Sequence, residues 1–248
     1  MKHSEIFDFL CEKFPLDTAL DFDNPGFLVG NKEDKTKGVL IALDCELDTV
    51  KYAVKNECNL IITHHPVIFS GLKNVLYGSV VYELIKNGIS VISMHTNLDF
   101  GKGGVNDALC RVLGFSNVEI ITTNDGCQLR KCKISPTSPY NMALMLKASL
   151  NEVVRYTDSD KIIENVLICA GSGGNFLEDA VANNCQALIT ADVKHNVFID
   201  SVNYGISVFD AGHYATEDVI IEPLLYTLSV KFRGVKLLTY HSKKIKSC

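Results

Sequence analysis

The sequence has no Cys-x-x-Cys pair, no surplus of positive charge and no apolar run approaching the roughly 20 residues of a membrane span. Each absence removes a class of protein. The nine cysteines are dispersed at Cys11, Cys45, Cys58, Cys110, Cys127, Cys132, Cys169, Cys185 and Cys248. An odd number without framework spacing argues against a disulfide scaffold and suits buried thiols in a reducing, cytoplasmic compartment. Cys127 and Cys132 are the closest pair, and their spacing does not suit a zinc site. A net charge of −5 and a pI near 5.8 leave no broad basic footprint for nucleic acid. The run Lys243-Lys244-Ile245-Lys246 reads as a short solvated tail. At the N-terminus, Met1 to Phe7 lacks the charged-then-apolar order of a signal peptide. The glycine clusters Gly101 to Gly104 and Gly171 to Gly174 match neither a Walker loop nor a dinucleotide fingerprint. Each precedes a predicted helix, so it serves as a plain turn or offers backbone N–H groups to a phosphate.

What the chain does contain is apolar surface. With 248 residues and 47% hydrophobic content it can bury one large core or two small ones. Ser4 is a candidate N-cap for a first helix that stops near Pro15, and Asn24-Pro25-Gly26 is turn chemistry leading into a strand at Phe27 to Val29. Strands are predicted at Val39 to Leu43, Leu60 to Thr63 and Ile89 to Met94, separated by helices at Leu47 to Asn56 and Val80 to Lys86. Single helices between strands imply right-handed crossovers and a largely parallel sheet. Residues 117 to 165 are less regular and read as strand, helix, strand over 128–134, 141–150 and 153–157.

The strand–helix pattern then recurs. Val166 to Ala170 and Ala187 to Thr190 follow Val39 to Leu43 and Leu60 to Thr63 at one offset of 127 positions, and Gly205-Ile206-Ser207-Val208 repeats Gly88-Ile89-Ser90-Val91. Two related α/β halves with mainly parallel sheets follow from this order, divided as 1–125 and 126–248.

The repeat places the histidines. The strand at Leu60 to Thr63 runs into His64-His65-Pro66, and Pro66 cannot extend a ladder. Two adjacent imidazoles have no packing use at a buried strand end, because each needs a hydrogen-bond partner or a metal. His95 and Asp99 follow the third strand of the first half. Asp192 and His195 follow the middle strand of the second half, and His213 follows its last. The i, i+4 spacing sets His213 and Glu217 on one helical face, where a pair standing alone suits solvated surface as well as chelation. Five candidates, His64, His65, Asp99, His213 and Glu217, exceed the three protein ligands usual at one catalytic ion. A dinuclear site uses them better, and imidazole with carboxylate suits Zn, Fe, Mn, Co or Ni.

The motifs His64-His65-Pro66, His95-Thr96-Asn97-Leu98-Asp99, Gly103-Gly104-Val105-Asn106, Asp192-Val193-Lys194-His195 and Gly212-His213-Tyr214-Ala215-Thr216-Glu217 together resemble the GTP cyclohydrolase I type 2 homologue family. That family is also called the dinuclear metal centre or NGG-interacting-factor-three-like family. The segment Asp23 to Gly30 is similar to its N-terminal signature, with Phe22 where a Trp is usual and Pro25 where a small apolar residue is. The resemblance implies two related α/β lobes enclosing a dinuclear metal site, assembled as a homohexamer without an inserted middle domain. It implies His64, His65, Asp99, His213 and Glu217 as ligands of two divalent ions, with His95 and His195 lining the site. The expected function is a metal-dependent hydrolase acting on a nucleotide-like substrate, in which His95 or His195 moves the proton. The alternatives are a regulatory or scaffold ring with structural metals and, third, a nucleic-acid-associated protein.

Overall fold

The computed structural model describes residues 1–242, Lys244 and Ile245. In chain order it begins with α1 (His3–Lys13), β1 (Gly26–Val29), β2 (Gly38–Ala42), α2 (Leu47–Lys55), β3 (Leu60–Thr63), α3 (Val80–Lys86), β4 (Ser90–Ser93) and α4 (Thr96–Phe100). Next come α5 (Val105–Val112), β5 (Asn117–Thr122), β6 (Gln128–Thr137), α6 (Pro139–Leu150), β7 (Arg155–Tyr156), β8 (Ile163–Ser172) and α7 (Leu177–Ala182). The rest is β9 (Ala187–Ala191), α8 (His195–Tyr204), β10 (Ser207–Asp210), α9 (His213–Glu217), α10 (Ile221–Lys231) and β11 (Lys236–Tyr240). The first helix starts earlier than Ser4 predicts: Lys2 is the N-cap, and its N–H donates to the Glu5 carboxylate at 2.6 Å.

The chain forms two compact units. One comprises Met1–Lys102 and Ile221–Lys244, the other Gly103–Ile220 with Ile245. The division thus differs from a single cut at 125/126. Residues 103–125 start the second unit, and the segment from Ile221 returns to the first. The apolar pattern did not single out α10 or β11, and local periodicity says nothing about which sheet edge such elements join.

In the first unit the strand order is β1-β4-β3-β2-β11. The last four are parallel, and β1 runs antiparallel to β4. Leu40, Ile61 and Val91 form one row across β2, β3 and β4 and pack against Val50 and Ala53 of α2 and Leu84 of α3. These strands read as unbroken apolar runs because a parallel sheet is covered on both faces. The register also pairs Ala42 with Thr63 and Thr63 with Ser93, so the three strands end level. The residues that follow them, Asp44, His64, His65 and His95, therefore leave the sheet at one edge.

The second unit has the order β5-β6-β8-β9-β10-β7. Its centre, β8-β9-β10, is parallel and repeats β2-β3-β4, while β7 lies antiparallel on β10 as β1 does on β4. This sheet is mixed where a mainly parallel one was expected, because β6 is antiparallel to both β5 and β8. The β5–β6 connection is a tight turn closed by Thr123 N–H to the Cys127 carbonyl at 2.9 Å, and so short a link permits only antiparallel pairing. Strand β6 continues to Thr137 through an irregular register, past residue 134 where the strand was expected to end. Most thiols are buried as expected, and Cys132 faces Cys110 at 3.6 Å. Among the described residues no helix is long and apolar enough to cross a membrane.

Candidate metal centre

The backbone ladder of the first unit continues one step past β3. His64 N–H donates to the Ala42 carbonyl at 3.3 Å and His65 N–H to that of Leu43 at 3.0 Å. The Thr63 hydroxyl donates to the His65 carbonyl at 2.8 Å and so pins the turn before Pro66. Both imidazoles are thereby held on fixed backbone. His64 is 2% exposed, and its Nδ1 lies 2.9 Å from the Met94 carbonyl. A carbonyl only accepts, so Nδ1 carries a proton and Nε2 is the nitrogen left to face a ligand. His65 Nδ1 meets Asp44 Oδ1 at 2.7 Å, which fixes the same tautomer.

His95 repeats the device through a different connection. Because β1 is antiparallel to β4, with Gly26 opposite Ser93, the residues before β1 sit beside those after β4. Asp23 accepts from His95 Nδ1 at 2.7 Å and from the Thr96 N–H at 3.0 Å and its hydroxyl at 2.5 Å. Burial opposes charge on this carboxylate, but the bonds from His95 and Thr96 outweigh it and hold its pKa at about 2. The potential ligand nitrogens of His64, His65 and His95 lie within 4.8 Å of one another. Asp99, on the short helix α4, puts Oδ1 3.4 Å from His64 Nε2.

The second unit holds another such pair. His213 opens α9 after Gly212, whose φ of +85° is a glycine conformation. Its Nδ1 lies 2.7 Å from Asp192 Oδ2, and its Nε2 lies 3.0 Å from Glu217 Oε2 one turn on. Burial alone lowers the pKa of this ring, but Glu217 and Asp192 outweigh burial and raise it to about 9. Glu217 is buried against the end of β8. A Cβ on Gly171 would stand 2.0 Å from Glu217 Oε1, so only glycine admits this carboxylate. Thr216 accepts the Gly171 N–H at 3.1 Å, which fixes the strand end against α9. Packing likewise accounts for Gly173, whose Cβ would meet Thr190 and Cys169.

The sequence matches the Duf34/NIF3 (NGG1p interacting factor 3) family over residues 1–246. The chain belongs to this family. A Clostridium acetobutylicum protein named GTP cyclohydrolase 1 type 2 homolog is 32% identical over 247 residues, covering 94% of this chain and 90% of its own length. The crystal structure of the Staphylococcus aureus hypothetical protein SA1388 aligns with a TM-score of 0.92 at 26% identity, covering 100% of this chain and 99% of that one. Reduced HcgD from Methanocaldococcus jannaschii aligns with a TM-score of 0.82 at 26% identity, covering 96% and 97%.

Measured against the expectations for a family member, the residues fit divalent cations. A metal-ligating imidazole usually donates its second nitrogen to a carboxylate or a carbonyl. His64, His65, His95 and His213 all do so. His95, expected to line the site, shares a cluster with His64 and His65 and is anchored like a ligand. His195 is the exposed first residue of α8 and, among the described residues, joins none of the groups able to hold a metal. The orienting role of Asp23, Asp44 and Asp192 was not foreseen, although a signal for it exists. Asp44 and His65 are 21 residues apart, as are Asp192 and His213. In each case the aspartate follows one strand and the histidine follows the next strand, parallel to it.

Proposed function

We propose that this protein is a divalent-metal-dependent hydrolase acting on a nucleotide-like substrate. The observation that supports it is the recurrence of one contact, an imidazole Nδ1 against a carboxylate or carbonyl oxygen, at four histidines that follow strand ends. Packing has no use for that arrangement, whereas cation binding does. In this reading His64, His65, Asp99, His213 and Glu217 hold two divalent ions, of Zn, Fe, Mn, Co or Ni by donor type. When bound, such ions supply Lewis-acid polarisation of the electrophile and a more acidic water. The chain's own part is to fix the ligands and to move protons. Asp23 keeps the His95 proton on Nδ1, so His95 exchanges protons at Nε2, and exposed His195 is the second carrier.

The relatives' name makes GTP the first substrate to test. Metal-loaded protein incubated with GTP is expected to release formate, and release no greater than that of a His65→Ala control removes GTP from the reading. Metal content by mass spectrometry is expected to be two ions per chain, falling in Glu217→Ala; an unchanged content in that variant removes Glu217 from the ligand set. The family's description as an interacting factor favours a second reading, a homohexameric regulatory ring with structural metals. Sedimentation shows whether the hexamer forms. Metals that no added chelator or substrate reaches would favour that second reading.

A further inference from the structure

The loop that carries His64 and His65 and the loop that carries Asp23, the anchor of His95, each hold an aromatic ring that metal binding does not use. Phe22 is 64% exposed and Phe69 is 51% exposed. Their centroids lie 6.3 Å apart, with the planes tilted by 40°. Phe69 also meets the His95 imidazole edge to face at 6.2 Å. Phe22 precedes β1 and Phe69 follows β3, yet the two loops are tied together. Asn24 Nδ2 donates to the Ile68 carbonyl at 2.7 Å, and Asp23, between Phe22 and Asn24, holds His95 and Thr96. One three-residue stretch therefore supplies a ring, the His95 anchor and the clamp on the neighbouring loop. Water-facing rings fixed this firmly beside an imidazole cluster present flat π-faces at a set distance from the reactive groups.

We propose that Phe22 and Phe69 form a stacking platform for the planar base of a nucleotide, whose reacting portion lies against His64, His65 and His95. This rests on the proposed function and names the part of the substrate that the metal ligands do not read. A purine or pyrimidine matches such a surface because every base has a π-face, and stacking on aromatic side chains binds it without base-edge readout. The tilt between the rings suits a flat ligand lying on one ring and edged by the other. The competing occupant is a second copy of this chain, since the loop continues with exposed Leu72, Val75, Leu76 and Tyr77.

The chain contains no tryptophan, so Phe22→Trp places a sole indole reporter on the platform. The metal-loaded Phe22→Trp protein is titrated with guanosine, GMP and ribose 5-phosphate while its emission is followed. Saturable quenching by guanosine and GMP but not by ribose 5-phosphate is expected. Adding Phe69→Ala is expected to weaken guanosine binding by roughly ten-fold or more at unchanged metal content. Quenching by ribose 5-phosphate equal to that by guanosine, no quenching at all, or equal affinity after Phe69→Ala overturns the platform. Lost metal in the Phe69→Ala protein overturns it too, because the ring would then serve only to pack His95. Emission that shifts with protein concentration alone, together with a larger sedimenting species, assigns the face to a subunit contact. Metal content and formate release are read separately, so a platform can fail while the hydrolase reading stands, and base stacking can hold where GTP is not opened.

Discussion

Replacing Gly171 with alanine tests whether the buried carboxylate of Glu217 depends on a missing side chain. Gly171 has φ of +63°, and its added Cβ would lie 2.0 Å from Glu217 Oε1, 3.1 Å from its Cδ and 3.5 Å from His213 Nε2. Gly88 supplies the control, since its φ is +62° and no heavy atom lies within 4 Å of its Cβ position. Alanine in this left-handed region costs about 1–2 kcal/mol by itself, so Gly88→Ala measures the backbone cost alone. At Gly171 the carboxylate must also leave its place. Removing one partner of a fully buried ion pair costs about 3–5 kcal/mol. His213 is only partly buried and keeps Asp192, so about 2 kcal/mol is the fair share here. The expected losses are then about 1 kcal/mol for Gly88→Ala and about 3 kcal/mol for Gly171→Ala, from urea unfolding of the metal-free protein at pH 7. An NMR titration supplies the second readout, because His213 should drop below its value of about 9 once Glu217 is displaced. Equal losses in the two variants, with His213 still titrating near 9, would refute the argument.

Three further predictions concern protons. The His213 pKa is raised from 6.5 to about 9, so its contribution to stability is complete below about 6.5 and is lost as pH climbs through about 9. The metal-free protein should therefore lose melting temperature across that window. Ion uptake must displace the same proton, so apparent affinity should rise about ten-fold per pH unit between pH 7 and 9, and a flat profile would contradict this. Asp23 shows the opposite sign. Its pKa is lowered from 3.8 to about 2, so its contribution is present above 3.8 and fades as pH falls through about 2. Asp23→Asn should cost about 2 kcal/mol at pH 7, and the difference from wild type should shrink towards pH 2 in acid unfolding curves. A difference that persists unchanged at pH 2 would show that Asp23 acts through shape, not charge.

The elements that position the site were the most legible in the sequence. The unit β2-α2-β3-α3-β4 is written in two periodicities, and its boundaries fall within a residue or two of those read from the apolar pattern. The duplicated order was legible for the same reason. What local pattern does not carry is partnership. Strand β5 is an exposed edge whose Val118 and Ile120 face solvent, so it lacks the alternation of a half-buried strand. The short helix α4 was missed because five residues hold too little periodicity, although it delivers Asp99. The candidate ligands stood out as residue types with no packing use at strand ends. Their anchors Asp23, Asp44 and Asp192 did not, because an aspartate after a strand is ordinary turn chemistry until a neighbouring strand brings an imidazole to it. Gly171 was read as part of a turn, and its role emerges only from the closeness of Glu217.

The return of the chain to its first sheet has a consequence for the order of assembly. Strand β2, the second strand to be made, keeps an unsatisfied flank until Lys236–Tyr240 arrives to lie parallel to it, with Lys236 opposite Gly38. Every strand of the second sheet is synthesised before that moment. On the ribosome the later-made sheet can thus close while the earlier one still waits for its last neighbour. A stop codon just before Lys236 would strip the hydrogen-bonding partner from a strand encoded some two hundred codons upstream, leaving a bare edge on the strand directly beside the one that presents His64 and His65.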